Sequence, residues 1–407
     1  MTGRLFEENV LAYVESLRVA GGYAYMAGGG FSVYGTAYAS LIRHYFGETI
    51  DVEDGAKAVL DRQDPETGYF FESCFDDWSP PVGAMHDREH LLLHTTCAVL
   101  PFLQEIGVKP RHPLKFAEQF RGSALGKWLK ERDMTNPWLE GNNLLFAGQV
   151  LLYLHEIEGD EGAREDLEFL FSWLDDEVDP ATGLWGTNHG AGPDHAIYGG
   201  YHQLLLYYYK ERKLHKPKAV IDICLSLQTL DGGYAQAGDA GACEDVDTVD
   251  VLVNYSKRFD LRRPEVVWSL RRCLTHILEL QNKDGGFPYN RNRPFTHNGM
   301  KGTEADPGQS TVFATWFRVH TLALMAELLP EAAELFPQGH GFSSACSMGW
   351  HDPGTAGFEP LPVSRLTETS MISRQCMRKA SLLLDQKWRR AKGRLRRLIG
   401  MTGPAST

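Results

Sequence analysis

Short turns of one composition recur along the chain, and each separates two stretches with helical periodicity. Each turn places glycine before an aromatic residue, and most also contain Asp. The copies are Gly29–Phe31, Asp64–Tyr69, Asp179–Trp185, Asp231–Tyr234 and Asp284–Phe287. The last two follow a Leu-Gln pair and lie about 50 residues apart. Because glycine tolerates a positive φ after a helix and Asp bonds its own backbone, these turns suit helical hairpins. Repetition at this period predicts stacked repeats.

Apolar periodicity predicts two alternating sets of helices. The first members run near 4–19, 51–62, 114–130, 162–175, 217–229 and 264–281. The second members run near 34–46, 88–103, 143–157, 195–211, 245–259 and 310–329. The second set carries less charge, as expected for helices surrounded by others. We therefore predict an all-α protein whose residues 1–335 form an α6/α6 toroid, with the second set as the inner ring of six hairpins.

The chain of 407 residues is longer than a usual single core. A ring of repeats is an exception, because each repeat packs mainly on its neighbours. Residues 336–366 are rich in Gly and Pro, and we predict a loop that crosses or covers the ring. Residues 367–407 predict a basic amphipathic helical tail, with ten Lys or Arg between Arg374 and Arg397 against one acid. Such a tail suits an anionic membrane surface, or docks its apolar side on the ring.

The net charge of −12 argues against nucleic acid as a ligand of the ring. Seven scattered cysteines without a Cys-x-x-Cys pair indicate a reducing compartment. The first residues lack the pattern of a signal peptide. We therefore expect a cytoplasmic protein, with peripheral membrane association if the tail binds lipid.

The Gln-x-x-Asp-Gly-Gly-aromatic turns resemble those of the terpenoid cyclase and protein prenyltransferase superfamily. The segment Gly28–Tyr38 is similar to its prenyltransferase and squalene-oxidase repeats. The resemblance covers roughly residues 20–330 and implies the α/α ring. It leaves the reaction open, because one fold can host several chemistries.

Polar side chains gather in the loops that enter the second helix of each hairpin. We predict that these loops meet at one mouth of the ring and bind the substrate. Helix capping is the alternative for any single residue, since acids and amides favour first turns. The predicted substrate-binding residues are His86, Asp87, His90, Trp138, Asn142, Asn143, Tyr198, Tyr201, His202, Tyr234, Asp250, Glu304, Asp306 and Trp316.

The densest acidic cluster is Glu244-Asp245-Val246-Asp247. Crowding and burial raise carboxyl pKa values, and a proton held near neutral pH is what a general acid needs. The dipole at a helix N-terminus acts in the opposite direction. Asp245-Val246-Asp247-Thr248 is similar to the Asp-x-Asp-Asp motif of class II terpene cyclases, with Thr248 in place of the last Asp.

The resemblance implies that Asp247 protonates an isoprenoid alkene or epoxide. Asp245 and Glu244 would then be neighbours that set its pKa, and His195 a polar partner. Such chemistry requires aromatic faces that stabilise carbocations. The candidates are Phe31, Tyr34, Tyr38, Trp138, Tyr198, Tyr201, Tyr234, Trp316 and Phe317.

Two other functions fit the sequence. A glycan-active enzyme could pair carboxylates from Glu244, Asp247, Glu304 and Asp306, because glycoside cleavage uses two acids. A lyase or epimerase could instead use His86, His195 and Tyr201. The third possibility is a ring that binds a ligand without catalysis.

We expect no resident cofactor. Mg²⁺ would assist only a substrate that carries a diphosphate. The resemblance to protein prenyltransferases would imply a zinc site, since Cys243 and Asp245 match two of that family's zinc ligands. The later repeat offers Glu304 and Asp306 where the family has Tyr and His, so the sequence disfavours zinc.

Overall fold

The structure, a computed structural model, describes residues 3–48, 52–235 and 238–337, together with a few single residues beyond them. The described residues are mostly helical, which confirms the predicted all-α class. The helices are α1 Gly3–Ser16, α2 Val33–Tyr45, α3 Val52–Leu60, α4 Arg88–Glu105, α5 Gly122–Lys130, α6 Pro137–Glu156, α7 Glu161–Glu177, α8 Pro193–Tyr209, α9 Pro217–Leu227, α10 Ala242–Arg258, α11 Arg263–Leu280, α12 Val312–Ala326 and α13 Pro330–Ala333. Short 3-10 helices lie at Ser73–Asp76, Lys115–Phe120, Thr187–His189 and His297–Gly299.

The helices α2, α4, α6, α8, α10 and α12 are buried along most of their length. Each contacts the next one, and α12 also contacts α2. The helices α1, α3, α7, α9 and α11 each pack against one or two of these buried helices. In α1 and α7 the buried residues lie on one side and exposed charged residues on the other, as expected for helices with one face in water.

Short antiparallel strands join some of the helices. One three-stranded sheet contains β1 Arg18–Val19, β2 Gly22–Ala24 and β3 Phe31–Ser32. Two further pairs join β4 Phe287–Pro288 to β7 Ser310–Thr311 and β5 Phe295–Thr296 to β6 Glu304–Ala305. The β5–β6 hairpin projects residues 297–303 between its strands.

In four hairpins the segment before a buried helix is bonded to that helix. An aromatic residue of the segment donates its backbone N–H to a Thr or Asp side chain within the first turns of the helix. The pairs are Tyr23 to Thr36 at 3.0 Å, Phe70 to Thr96 at 2.9 Å, Tyr234 to Asp245 at 2.8 Å and Phe287 to Thr315 at 3.0 Å. Asp245 thus occupies the position that Thr fills in the other hairpins.

The glutamine of the repeat closes the same turns. Gln228 donates its side-chain amide to the carbonyl of Gly232 at 2.8 Å, and Gln281 does the same to Gly285 at 3.0 Å. Gln63 bonds Gly68 in the Asp-Pro-x-Thr-Gly version of the turn. Gly285 has a φ of +90°, and a Cβ there would lie 2.0 Å from the carbonyl oxygen of Asn9. Glycine is therefore required by both conformation and space.

The predicted helix at 114–130 is wrong as one continuous element. It is a 3-10 helix over Lys115–Phe120 followed by α5, with a break at Arg121 and Gly122. Arg121 forms ion pairs with Asp160 and Asp166, whose carboxylate also accepts the N–H of Gly122. These tertiary bonds replace helical ones at the break.

The predicted loop over 336–366 and the predicted tail over 367–407 lie almost wholly outside the described residues. Phe342 is an exception, since it is fully buried and its ring packs 5.3 Å from that of Tyr45. In the part of the chain that the structure describes, no helix has the length and apolar character needed to cross a membrane.

Candidate active site

A cavity of about 560 Å³ opens among the buried helices. Its walls come from the segment before α4, from α4, α6, α8, α10 and α12, and from the β5–β6 hairpin. The lining residues are Ala84, Met85, His86, His94, Asn136, Trp138, Leu139, Asn142, His195, Tyr201, His202, Cys243, Asp247, Tyr289, Phe295, Thr296, His297, Asn298, Gly299, Phe313 and Phe317. Those that the sequence predicted for the site are His86, Trp138, Asn142, His195, Tyr201, His202, Asp247 and Phe317.

Asp247 is the carboxyl group that faces this cavity. Its side chain is 2% exposed, and its Oδ2 has no hydrogen-bond partner among the described residues. Burial raises the pKa of Asp247 well above its ordinary value, and the charges of Glu244, Asp250 and Asp245 raise it further. These effects exceed the opposing field of the α10 N-terminus. The raised pKa favours the protonated form of this carboxyl group.

Asp245 has the opposite environment, although it stands two residues away on the same helix. It forms an ion pair with Arg318 of α12, and both side chains are fully buried. Arg318 also donates to the carbonyl oxygens of Ala240 and Tyr289, at 2.9 Å each. Asp245 does not line the cavity. Its predicted catalytic role is therefore limited to the charge that it adds near Asp247, beside its bond to the repeated turn.

Glu244 lies at the first turn of α10 and is partly exposed. Its Oε2 accepts a hydrogen bond of 3.2 Å from the hydroxyl of Tyr289, a residue of the cavity wall. Burial, followed by the charge of Asp245, raises the pKa of Glu244. Among the charges that raise the pKa of Asp247, that of Glu244 has the largest effect.

Histidines form another part of the wall. His94 binds the hydroxyl of Tyr34 through Nδ1 at 2.8 Å, and its ring lies 5.1 Å from that of His297. Burial lowers the pKa of His86 and His202 to about 4 and that of His297 to about 3. These imidazoles are neutral at pH 7.

Aromatic rings cover much of the remaining surface. Tyr289 stacks on Phe295 at a ring distance of 3.7 Å, and Phe295 faces Phe313 at 5.9 Å. Phe317 contacts Phe313 edge to face, 4.8 Å away. Trp138 contacts His195, which is exposed at the mouth. Such π-faces attract a cation that is removed from water.

Several predicted substrate-binding residues lie behind the cavity wall. His90 bonds Asn143 at 2.9 Å, and the two lie in contact between α4 and α6. Tyr198 donates its hydroxyl to the carbonyl of Tyr234. These residues position the wall without lining it. Tyr234, Asp250 and Trp316 are likewise buried outside the lining.

Three predicted acids do not reach the cavity. Asp87 is exposed and caps α4 by accepting the N–H of His90 at 2.9 Å. Glu304 is exposed on β6 and accepts the N–H of Gly302 at 2.7 Å. Asp306 is exposed in the following turn. Capping and turn formation account for the first two, because each satisfies a local backbone donor.

The sequence also held signals for residues that were not predicted. His94 stands four residues after the predicted His90, which places both on one side of α4. Arg318 stands in a strongly apolar buried helix, where an arginine requires an acidic partner. His297, Tyr289, Phe295 and Phe313 had no comparable signal as a set, because they meet only through the β5–β6 hairpin.

Among the described residues, no three His, Cys, Asp or Glu side chains are grouped so as to hold a metal ion. Comparison with known proteins finds no matching family model, no matching curated protein and no matching solved structure.

Proposed function

We propose that residues 1–335 close into an α6/α6 toroid of six helical hairpins and that its cavity cyclises an isoprenoid by protonation, as a class II-like terpene cyclase does. The order of helix contacts supports the ring, because α12 returns to α2. The repeated turns support it as well, because similar turns indicate that the hairpins share one structure. The function is supported by the cavity that these helices surround.

The observation that carries the proposal is Asp247, a buried carboxyl group with a raised pKa on an aromatic cavity wall, whose Oδ2 has no hydrogen-bond partner among the described residues. Its O–H proton would pass to an alkene carbon, with the π electrons forming the new C–H bond. The resulting carbocation would be attacked by a second alkene of the same chain. Loss of a proton from a neighbouring carbon, to water or a neutral imidazole, would complete an isomerisation. Solvent would then return a proton to Asp247.

Other residues would act around this step. Glu244 and Asp245 keep the pKa of Asp247 high through their charges. Phe295, Phe313 and Phe317 present aromatic faces to the cation. His195 contributes a polar group at the mouth.

A glycan-active enzyme is the second candidate. The histidines and the amides of Asn136, Asn142 and Asn298 in the lining favour it, because they suit sugar hydroxyl groups. Among the described lining residues, however, Asp247 is the one carboxyl group. Glycoside cleavage generally uses two. Cyclisation by protonation requires a single acid, so we favour the isoprenoid.

Incubation with polyprenyl substrates of several lengths tests the proposal. The wild-type protein should form a cyclic isomer, detected by gas chromatography and mass spectrometry. Asp247→Asn should lower the rate by about 10²–10⁴-fold, the usual contribution of a general acid. Asp306→Asn, the same change at an exposed site outside the cavity, should leave the rate unchanged. Equal rates for Asp247→Asn and the wild type, or ligand binding without product, would contradict the proposal.

A further inference from the structure

The proposed cyclisation does not account for the histidines that line the cavity. In the order of helix contacts, α4 and α10 are separated by α6 and α8 on one side and by α12 and α2 on the other. His94 of α4 and Asp247 of α10 therefore belong to opposite walls. The acid and the imidazoles would meet different parts of one bound molecule.

The ring nitrogens of His297 require hydrogen-bond partners from a bound molecule. The side chain is 1% exposed, and neither Nδ1 nor Nε2 has a hydrogen-bond partner among the described residues. Its position is determined by the β5–β6 hairpin, where its backbone N–H donates to the hydroxyl of Thr303 at 3.1 Å. The ring also packs on Phe313 at 4.0 Å. Two unpaired buried nitrogens are costly unless a bound group satisfies them.

The protonation state defines what that group can be. A neutral imidazole carries one donor and one acceptor. The adjacent His94 is neutral as well, because burial lowers its pKa well below the ordinary value. His86, also in the lining, has an Nδ1 without a partner. A hydroxyl group both donates and accepts, and so it complements this wall.

An anionic group fits the wall poorly. A diphosphate only accepts hydrogen bonds and is usually met by Arg, Lys or a metal ion. The described lining residues include no Lys or Arg. The buried Arg318 of α12 is paired with Asp245 and lies outside the lining.

We infer that the wall formed by His86, His94 and His297 binds an uncharged oxygen group, and that the substrate is an isoprenoid alcohol in preference to a diphosphate. The inference rests on the proposed function for the isoprenoid part of the ligand. Beyond that function, the inference names the chemical class of the substrate's polar end and the histidines that would bind it.

Binding is measured by calorimetry in the Asp247→Asn background, so that no ligand is converted. The probes are farnesol, farnesyl diphosphate and the hydrocarbon farnesene. Farnesol should bind most tightly. His297→Phe keeps a ring against Phe313 but removes both nitrogens, and it should weaken farnesol binding about tenfold while leaving farnesene unchanged. The exposed His189→Phe is the matched control, and His86→Phe provides a second cavity variant should His297→Phe fail to fold.

Tighter binding of the diphosphate, or an equal loss for farnesol and farnesene in His297→Phe, would overturn the inference. The outcomes also separate it from the proposed function. If the wild type cyclises farnesene and farnesol has no advantage in binding, the polar subsite is wrong and the cyclase stands. If farnesol binds as expected but product formation is the same in Asp247→Asn, the polar subsite stands and the acid is wrong.

Discussion

Asp245 and Asp247 show how two residues of one short motif acquire different roles. Both are buried on α10, but Asp245 pairs with the guanidinium of Arg318, whereas Asp247 lines the cavity and its pKa is raised by burial and by the neighbouring carboxylates. The sequence predicted the acidic cluster and the burial that separates it from ordinary helix caps. It could not predict the pairing, because Arg318 stands 73 residues further along the chain.

The raised pKa of Asp247 predicts a pH-dependent difference in stability. An Asp in the unfolded chain loses its proton near pH 4, whereas the folded protein keeps it to a higher pH. Between these two pKa values the folded state binds the extra proton, so the free energy of unfolding falls as pH rises, by up to about 1.4 kcal/mol per pH unit. Asp247→Asn removes this loss. We therefore expect the free energy of unfolding of Asp247→Asn, relative to that of the wild type, to be higher at pH 7 than at pH 5. Urea unfolding at the two pH values measures this difference.

The exposed Asp306→Asn serves as the control for this measurement. Its difference from the wild type should be the same at both pH values. A constant difference for Asp247→Asn as well would mean that Asp247 is ionised in the folded protein.

The ion pair of Asp245 predicts a loss that a second substitution repairs. Asp245→Thr installs the residue that other hairpins use and keeps an acceptor for the N–H of Tyr234, but it leaves Arg318 buried without its partner. We expect a loss of about 3–5 kcal/mol in the free energy of unfolding. Adding Arg318→Met removes the unpaired charge and should restore most of that loss. If the double variant is no more stable than Asp245→Thr, the charge is not the cause.

At the scale of elements, the repeated turns were the most predictable part of the molecule. Gly, Asp and the aromatic residue have local reasons to form such a turn, and the hairpins follow from them. The break at Gly122 was not predictable, since it depends on ion pairs from Arg121 to acids of another helix. The bond between each turn and a Thr or Asp of the next buried helix also needed the structure.

Two glycine substitutions, one just after α2 and one in a repeated turn, separate backbone strain from steric exclusion. Gly47 has a φ of +84° with open space around it, whereas Gly285 has a φ of +90° and its Cβ would meet the backbone of Asn9. Gly47→Ala should cost about 1–2 kcal/mol, the price of a left-handed backbone. Gly285→Ala should cost about 1–3 kcal/mol more, because the added methyl group also displaces α1. Thermal unfolding measures both, and equal losses would remove the role of close packing.

At the scale of the whole molecule, the alternation of outer and buried helices could be predicted from the sequence, but the complete lining of the cavity could not. Twelve helical stretches alternating in polarity predict which helices are buried. The histidine wall depends on His94, at the fourth position after His90, and on His297, which a hairpin between two helices brings to it. Such a meeting of distant segments has no signature in any single stretch of sequence.

Protonation of an isoprenoid by Asp247 is tested most directly by running the reaction in D₂O. The carboxyl proton of Asp247 exchanges with solvent, so the acid would deliver deuterium to the alkene. The cyclic product should contain one solvent-derived deuterium, located by NMR at the protonated carbon, and Asp247→Asn should form far less of it. A cyclic product without deuterium, or no cyclic product from any polyprenyl substrate, would contradict acid-initiated cyclisation in this cavity.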